Sequence, residues 1–140
     1  MHHFASVVLV DRRGWILLQE RDSRPRIDPD RWGYPGGSVE PGETYEQAAY
    51  RELEEETGVS LEPGTLELVG EFSFWSEACG GTDEFCLYAA GTELFEVECH
   101  EGRQMVFVDP EVATGLDLTA SARLTLDDFL TSPIYARVGP

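Results

Sequence analysis

The sequence predicts a protein of the α/β (α+β) class, in which a mixed β-sheet lies between helices. Apolar runs rich in β-branched and aromatic residues occur before residue 20 and again between residues 66 and 108, and two amphipathic stretches carry helix-capping residues. Placing one helix on each face of a sheet is the simplest way to bury both amphipathic stretches. With 140 residues, 41% of them apolar, the chain has a common domain size, and we expect residues 1–140 to form a single domain.

The N-terminal segment predicts a β-hairpin. Residues 4–10 and 15–20 are apolar, β-rich runs, and a short polar stretch that ends in Gly14 separates them. A glycine between two such runs is typical of a tight turn.

An irregular arm is expected next, because residues 21–35 hold three prolines and four arginines. This stretch is the basic concentration of an otherwise acidic sequence. Arg21, Arg24 and Arg26 are either solvated loop residues or planar, forked donors to a phosphate-bearing substrate. Both interpretations stay open at this point.

The first helix is predicted over residues 44–57. Thr44 is a good N-cap, and Gln47 three positions later supplies the second half of a capping box. Gly58 suits the left-handed position that follows a last helical turn.

The second half of this helix concentrates negative charge. At about 100° per residue, Glu52, Glu55 and Glu56 fall within about one third of the helix circumference and continue its apolar face. Like charges three and four residues apart repel by a few tenths of a kcal/mol each, so this arrangement predicts a bound cation. Arg51 precedes Glu55 by four residues, and an ion pair between them would hold the carboxylate in a liganding rotamer.

The expected cation is Mg²⁺ or Mn²⁺. Carboxylates on successive turns, together with a backbone carbonyl such as that of Gly37 in the preceding glycine-rich loop, form a hard, all-oxygen site. The cluster contains no His or Cys for zinc, and its spacing is not that of a calcium loop. Such an ion can offset the charge of phosphate oxygens and activate water, which predicts hydrolysis of a diphosphate linkage.

Three further strands and a second helix complete the predicted fold. Residues 66–75, 85–90 and 105–108 have strand character. The helix is capped by Thr119 and runs to about Leu130, and its predicted buried side consists of Leu124, Phe129 and Leu130.

The charge balance narrows the possible partners. A formal net charge of −17 disfavours a nucleic-acid polymer or an anionic membrane, because either would be approached against the protein's own field. The three cysteines have neither disulfide nor metal-binding spacing, and no segment resembles a signal peptide or a membrane span. These features predict a cytoplasmic protein. The sequence leaves a homodimer open.

The acidic helix and the loop before it carry a recognisable spacing. Residues 37–59 resemble the Nudix box of the Nudix hydrolases at every specified position, and the flanking hairpin and C-terminal helix extend the likeness to a Nudix fold for the whole chain. The matching residues are Gly37, Glu43, Arg51, Glu52, Leu53, Glu55, Glu56, Gly58 and Val59.

The resemblance implies an activity and roles for these residues. Nudix hydrolases cleave a nucleoside diphosphate linked to another moiety, with Mg²⁺ or Mn²⁺ held mainly by the box glutamates, here Glu52, Glu55 and Glu56. The Gly37 carbonyl often assists, and Glu43 and Arg51 support the ligands. The implied catalytic set is therefore Arg51, Glu52 and Glu55, with a general base still to be assigned.

The general base and the substrate remain open in the sequence. Family members use a box glutamate or a late acidic residue, and we rank Glu52 first, then Glu101, then Glu98. Trp32 or Trp75 is either a stacking surface for a base or a core residue. None of the extra motifs of the ADP-ribose, dinucleoside polyphosphate or coenzyme A subfamilies is plain, so a nucleoside triphosphate or nucleotide sugar stays open.

Two rival interpretations belong to other functional classes. An isoprenoid diphosphate isomerase on the same scaffold would need a reactive cysteine, and no cysteine is marked for that role. A non-catalytic nucleotide-binding regulatory module usually accompanies a degenerate box, whereas this box is intact. The sequence therefore favours a hydrolase.

Overall fold

A mixed β-sheet forms the centre of the computed structural model, which describes residues 2–25, 28–77 and 80–140. The strands within these residues are β1 (His2–Val10), β2 (Ile16–Glu20), β3 (Trp32–Gly33), β4 (Gly36–Ser38), β5 (Glu67–Ser76), β6 (Gly81–Gly91) and β7 (Gln104–Val108). The helices are α1 (Tyr45–Thr57), α2 (Pro110–Ala113), α3 (Ala120–Leu130) and α4 (Pro133–Val138). No helix in the described ranges is both long enough and apolar enough to span a membrane.

Strand β1 organises the sheet. It pairs in parallel with β6 along its whole length, from His2 opposite Asp83 to Val10 opposite Gly91. Its other edge is shared between β2, which pairs near Val10, and β4, which pairs with residues 4–6. The sheet therefore divides between β2 and β4, and this division gives room for a cavity.

The two faces of the sheet carry separate cores, because side chains alternate along a strand. On one face, Val7 and Leu9 of β1 pack in a cluster with Leu53 of α1. On the other face, Val8 and Val10 pack with a cluster that includes Phe129 of α3. The predicted class and the helix on each face are confirmed.

Helix α1 has the predicted ends. The Thr44 side chain accepts a hydrogen bond from the Gln47 amide at 3.1 Å, and the Gln47 side chain accepts one from the Thr44 amide at 2.9 Å. Gly58 closes the helix with a φ of 75°, which a glycine adopts without steric cost. The capping box therefore fixes where the acidic face begins and ends.

The predicted buried side of α3 is partly wrong. Phe129 is buried and Leu130 is partly buried against the same cluster, but Leu124 is 47% exposed; the fully buried residues are Ala122, Thr125, Leu126 and Phe129. Thr125 faces the core because its hydroxyl is within 2.9 Å of the buried Tyr34 hydroxyl. The hydrogen-bonded pair of Thr125 and Tyr34 is therefore buried on the face where helical periodicity favoured Leu124.

The arm and the glycine-rich loop are more regular than predicted. Trp32–Gly33 pairs with β2, and Gly36–Ser38 pairs with β1. Each strand is only two or three residues long, so neighbouring strands stabilise it and its own composition gives no signal. The pairing fixes the glycine loop beside α1.

Candidate functional site

A cavity of about 340 Å³ lies where β2 and β4 separate. Its acidic lining residues are Glu52 and Glu56 from α1, Glu101 from the segment before β7, Asp28 and Asp83. Gly36 and Gly37 of β4 form another part of the wall. The structure thus brings the predicted glycine loop, two acids of the box and the late acid to one place.

Glu56 is the buried member of the glutamates that line this cavity, with only 3% of its surface exposed. Its Oε2 accepts a hydrogen bond from the Gly36 amide at 2.9 Å. Burial, followed by the negative charges of Glu101 and Glu52, raises the pKa of Glu56 to about 9. In the absence of a cation, burial and the neighbouring carboxylates therefore favour the protonated form of Glu56.

Gln19 holds the late acidic segment against the cavity, and sequence reasoning missed it. Its Nε2 donates to the Glu101 carbonyl at 2.9 Å and lies 3.5 Å from Glu56 Oε1. The side chain is 4% exposed. A glutamine next to Leu17 and Leu18 in a strand is the signal that could have found it, since a buried amide needs polar partners.

Arg51 connects the supporting acids. Its Nε and Nη2 donate to both oxygens of Glu43, at 2.7 and 2.9 Å, and its Nη1 donates to Glu52 at 2.9 Å. The hydrogen bonds from Arg51 and from the Glu40 amide lower the pKa of Glu43 to about 2, and the Glu43 and Glu52 carboxylates raise the pKa of Arg51. Arg51 therefore stays charged and fixes the orientation of Glu52.

Gly37 leaves the space that Glu52 occupies. An ideal Cβ at position 37 would lie 2.5 Å from Glu52 Cδ and within 2.7 Å of both of its carboxylate oxygens. Any side chain at this position would displace the Glu52 carboxylate. The need for glycine here is steric, since the backbone approaches the acid directly.

Glu55 stands apart from the other two box acids. Its side chain is 58% exposed, it receives a hydrogen bond from Arg51 at 3.2 Å, and it does not line the cavity. The predicted Arg51–Glu55 ion pair is present. One residue along a helix rotates a side chain by about 100°, which separates Glu55 from its buried neighbour Glu56.

The donor set fits a hard divalent cation, although the acids are not yet converged on one point. Among the residues that the structure describes, no group of three or more His, Cys, Asp or Glu side chains has the geometry of a metal site. Glu52 and Glu55 both accept a hydrogen bond from Arg51 Nη1, so the guanidinium of Arg51 occupies the place between these two carboxylates. The raised pKa of Glu56, caused by burial and by two neighbouring carboxylates, is the observation that favours a cation between them.

The predicted substrate arginines have separate positions. Arg21 lines the cavity, and its buried Nε has no hydrogen-bond partner within the described ranges. Arg24 lies in an open groove beside residues 99–103. Arg26 lies outside the described residues.

The predicted aromatic residues do not line the cavity. Trp32 packs against the core on the α3 side, and Trp75 is 66% exposed. Phe74, which faces the opposite side of β5 from Trp75, lines the cavity together with Phe4. Because side chains alternate along a strand, the sequence could have shown that Phe74 and Trp75 face opposite sides of the sheet.

Glu98 also lies away from the cavity. Its carboxylate is 2.8 Å from His100 Nε2, and its own amide donates to the Thr57 carbonyl at 3.0 Å. Of the two late acids, Glu101 is therefore the one beside Glu56.

Comparisons with known proteins agree with this arrangement. The sequence is 34% identical over 127 residues to a dihydroneopterin triphosphate diphosphatase of Escherichia coli (strain K12), covering 82% of this chain and 76% of that protein. It is 38% identical over 77 residues to an RNA pyrophosphohydrolase of Legionella pneumophila (strain Corby), covering 49% of this chain and 43% of that protein. The chain thus spans less than half the length of these RNA pyrophosphohydrolases.

The fold has solved counterparts as well. The crystal structure of the MutT protein from Methanosarcina mazei Go1 superimposes with a TM-score of 0.78 over 91% of both chains, at 24% identity. The NUDIX domain family model matches residues 2–127. The chain therefore belongs to the NUDIX domain family.

Proposed function

We propose that this protein is a divalent-metal-dependent pyrophosphohydrolase that cleaves the diphosphate linkage of a small nucleoside triphosphate or a similar nucleoside diphosphate derivative. The observation that carries the proposal is the group of Glu52, Glu56 and Glu101 around one cavity, where burial and the two neighbouring carboxylates raise the pKa of Glu56. A protein gains from such a cluster when a cation and an anionic substrate complete it.

The ligands that we propose for Mg²⁺ or Mn²⁺ are Glu52, Glu56 and the Gly37 carbonyl, with Glu55 joining them when it leaves Arg51. The Glu55 carboxylate is exposed at the end of a flexible side chain, so it can rotate away from Arg51 without a change in the fold. When bound, the cation offsets the charge of phosphate oxygens and lowers the pKa of a bound water.

The protein's own groups position the reactants. Arg51 keeps the Glu52 carboxylate oriented, and Glu43 keeps Arg51 in place through two hydrogen bonds. Glu52 or Glu101 takes the proton of the attacking water, because both line the cavity beside Glu56. Arg21, which lines the cavity, supplies its guanidinium group to a substrate phosphate.

A small-molecule substrate is favoured over a nucleic-acid chain. The net charge of −17 opposes the approach of a polyanion. A relative that matches along most of both chains is named for a triphosphate of a small heterocycle, whereas the RNA pyrophosphohydrolases match only part of this sequence. We also propose that the protein acts as a single domain in the cytoplasm.

A substrate panel tests the proposal. The protein is incubated with Mg²⁺ and with nucleoside triphosphates, nucleotide sugars, ADP-ribose and 5′-triphosphorylated RNA, and released phosphate and pyrophosphate are measured. We expect pyrophosphate release from at least one small triphosphate. Binding across the panel without release of any product would favour the regulatory-module alternative and refute the enzyme.

Matched variants connect the activity to the site. We expect Glu56→Gln to abolish most turnover, because it removes the negative charge that Glu56 carries when a cation is bound, with little change in shape. Glu54→Gln removes the same charge from an exposed position of the same helix and should keep full turnover. Equal rates for the two variants would contradict the assignment of Glu56.

A further inference from the structure

A second buried carboxylate, Asp83 on β6, lines the same cavity and has no role in the proposed reaction. The residue is 1% exposed, and its Oδ1 has no hydrogen-bond partner among residues 2–25, 28–77 and 80–140. Its Oδ2 lies 3.8 Å from His2 Nδ1, which is too long for a hydrogen bond. A buried carboxylate without a donor is costly, which makes Asp83 a candidate contact for a bound ligand.

Asp83 lies well away from the acidic cluster along the sheet. Ser6 of β1 is opposite Gly36, which donates to Glu56, whereas His2 of β1 is opposite Asp83. These two β1 positions are four residues apart, which corresponds to about 13 Å along a strand. The cavity thus extends from the acidic cluster to a second polar position at Asp83.

Aromatic side chains line the part of the cavity near Asp83. Phe4 and Phe74 both line it, and their ring centroids are 6.5 Å apart in an edge arrangement. Phe4 also stacks on Phe85 with a 4.8 Å centroid distance, which fixes its ring. A flat heterocycle bound beside these rings would place its polar edge near Asp83.

We propose that Asp83 recognises the base of the substrate, and that the base carries two adjacent N–H donors, as in the 2-amino-4-oxopyrimidine edge that guanine and pterins share. A carboxylate accepts two parallel hydrogen bonds from a ring N–H and the neighbouring amino group. Adenine and cytosine present an acceptor beside their amino group, and uracil presents one N–H between two carbonyls. These bases would leave part of the buried carboxylate unpaired.

This inference rests on the proposed function, which places the substrate phosphates at the acidic end of the cavity. The test therefore separates base binding from turnover. Binding of GMP, neopterin monophosphate, AMP, CMP and UMP is measured by calorimetry without metal, and hydrolysis of the corresponding triphosphates is measured with Mg²⁺. The GMP and neopterin arms distinguish the two sources of the shared edge.

Asp83→Asn is the informative variant, because it exchanges one acceptor for a donor at nearly constant shape. We expect it to weaken binding of GMP or neopterin monophosphate by about 10- to 100-fold, the usual discrimination of a bidentate base contact, with AMP binding unchanged. Glu84→Gln, which removes the same charge from the next, partly exposed position of β6, is the control and should change neither.

The unaltered protein supplies an independent test. Inosine triphosphate lacks the 2-amino group, so we expect its KM to exceed that of GTP by about tenfold, as one of two hydrogen bonds is lost. Thermal stability of Asp83→Asn gives a further measurement. We expect no loss of Tm, because the substitution removes an unpaired buried charge.

Each outcome decides between the two proposals. Selective binding through Asp83 without any turnover would support base recognition and refute the hydrolase. Turnover with equal KM for GTP, ITP and ATP would leave the hydrolase in place and overturn base recognition. A lower Tm with unchanged base preference in Asp83→Asn would assign Asp83 a structural role with His2 and overturn the proposal.

Discussion

Gly37→Ala offers a sharp test of the acidic site, because its effect follows from distances in the structure. The new Cβ would lie 2.5 Å from Glu52 Cδ. Carbon atoms in contact are about 3.5 Å apart, so the carboxylate would have to move by about 1 Å. The atoms that must move are the end of a flexible side chain, so the fold should tolerate the change.

The expected effect is therefore on catalysis. Displacing Glu52 by about 1 Å also disrupts its 2.9 Å hydrogen bond with Arg51. Misplacement of this size can reduce turnover by about 100-fold. We expect that loss in kcat with a Tm close to that of the unaltered protein, measured by pyrophosphate release and thermal denaturation.

Two other glycines serve as controls. At Gly81 a Cβ would have no atom within 4 Å, so Gly81→Ala should change neither kcat nor Tm. At Gly36 a Cβ would lie 2.2 Å from the Ala5 carbonyl oxygen, so Gly36→Ala should lower Tm markedly. Normal kcat in Gly37→Ala, or a Tm as low as that of Gly36→Ala, would refute the reasoning.

Three further predictions concern the acids and their partner. Without metal, the pKa of Glu56 rises from 4.5 in the unfolded chain to about 9 in the folded protein, so between these pH values only the folded protein holds the proton. The free energy of unfolding should therefore fall as pH rises through this window, by at most about 1.4 kcal/mol per pH unit. Urea denaturation across this range should show the slope in the unaltered protein and a flatter profile in Glu56→Gln; identical profiles would contradict the raised pKa. Glu101→Gln should lower kcat by about 100-fold with Mg²⁺ affinity retained, as expected for loss of a general base, and a normal kcat would return the role to Glu52. Arg51→Lys should lower kcat or Mg²⁺ affinity by about 10- to 100-fold, because an ammonium group cannot bridge Glu43 and Glu52 as the guanidinium does. Activity equal to that of the unaltered protein would exclude this bridging role.

Local rules predicted the framework of the molecule well. The capping pattern of Thr44 and Gln47 placed the start of α1, and Gly58 placed its end, because these residues satisfy backbone groups within a few positions. The fixed spacing of the box likewise placed Gly37 next to Glu52. Each of these features depends on residues that are close in sequence or on one helical period.

Features that depend on distant contacts could not be predicted in the same way. The sequence predicts the Arg51–Glu55 ion pair, but it gives no sign that Glu55 lies outside the cavity, or that Gln19 contacts the segment containing Glu101. Likewise, Asp83 is buried because β1 and β5 pair on either side of it. Sheet register decides these positions, and register is set by pairing across the whole chain.

The central claim is that acids around one cavity make this protein a metal-dependent hydrolase of phosphoric anhydrides. The most direct measurement is the rate of pyrophosphate release from a small triphosphate as Mg²⁺ is titrated, for the unaltered protein and for Glu56→Gln. We predict a rate that rises to saturation with Mg²⁺ in the unaltered protein and a rate near background in the variant. Release that is independent of Mg²⁺, or equal in the two proteins, would contradict the claim.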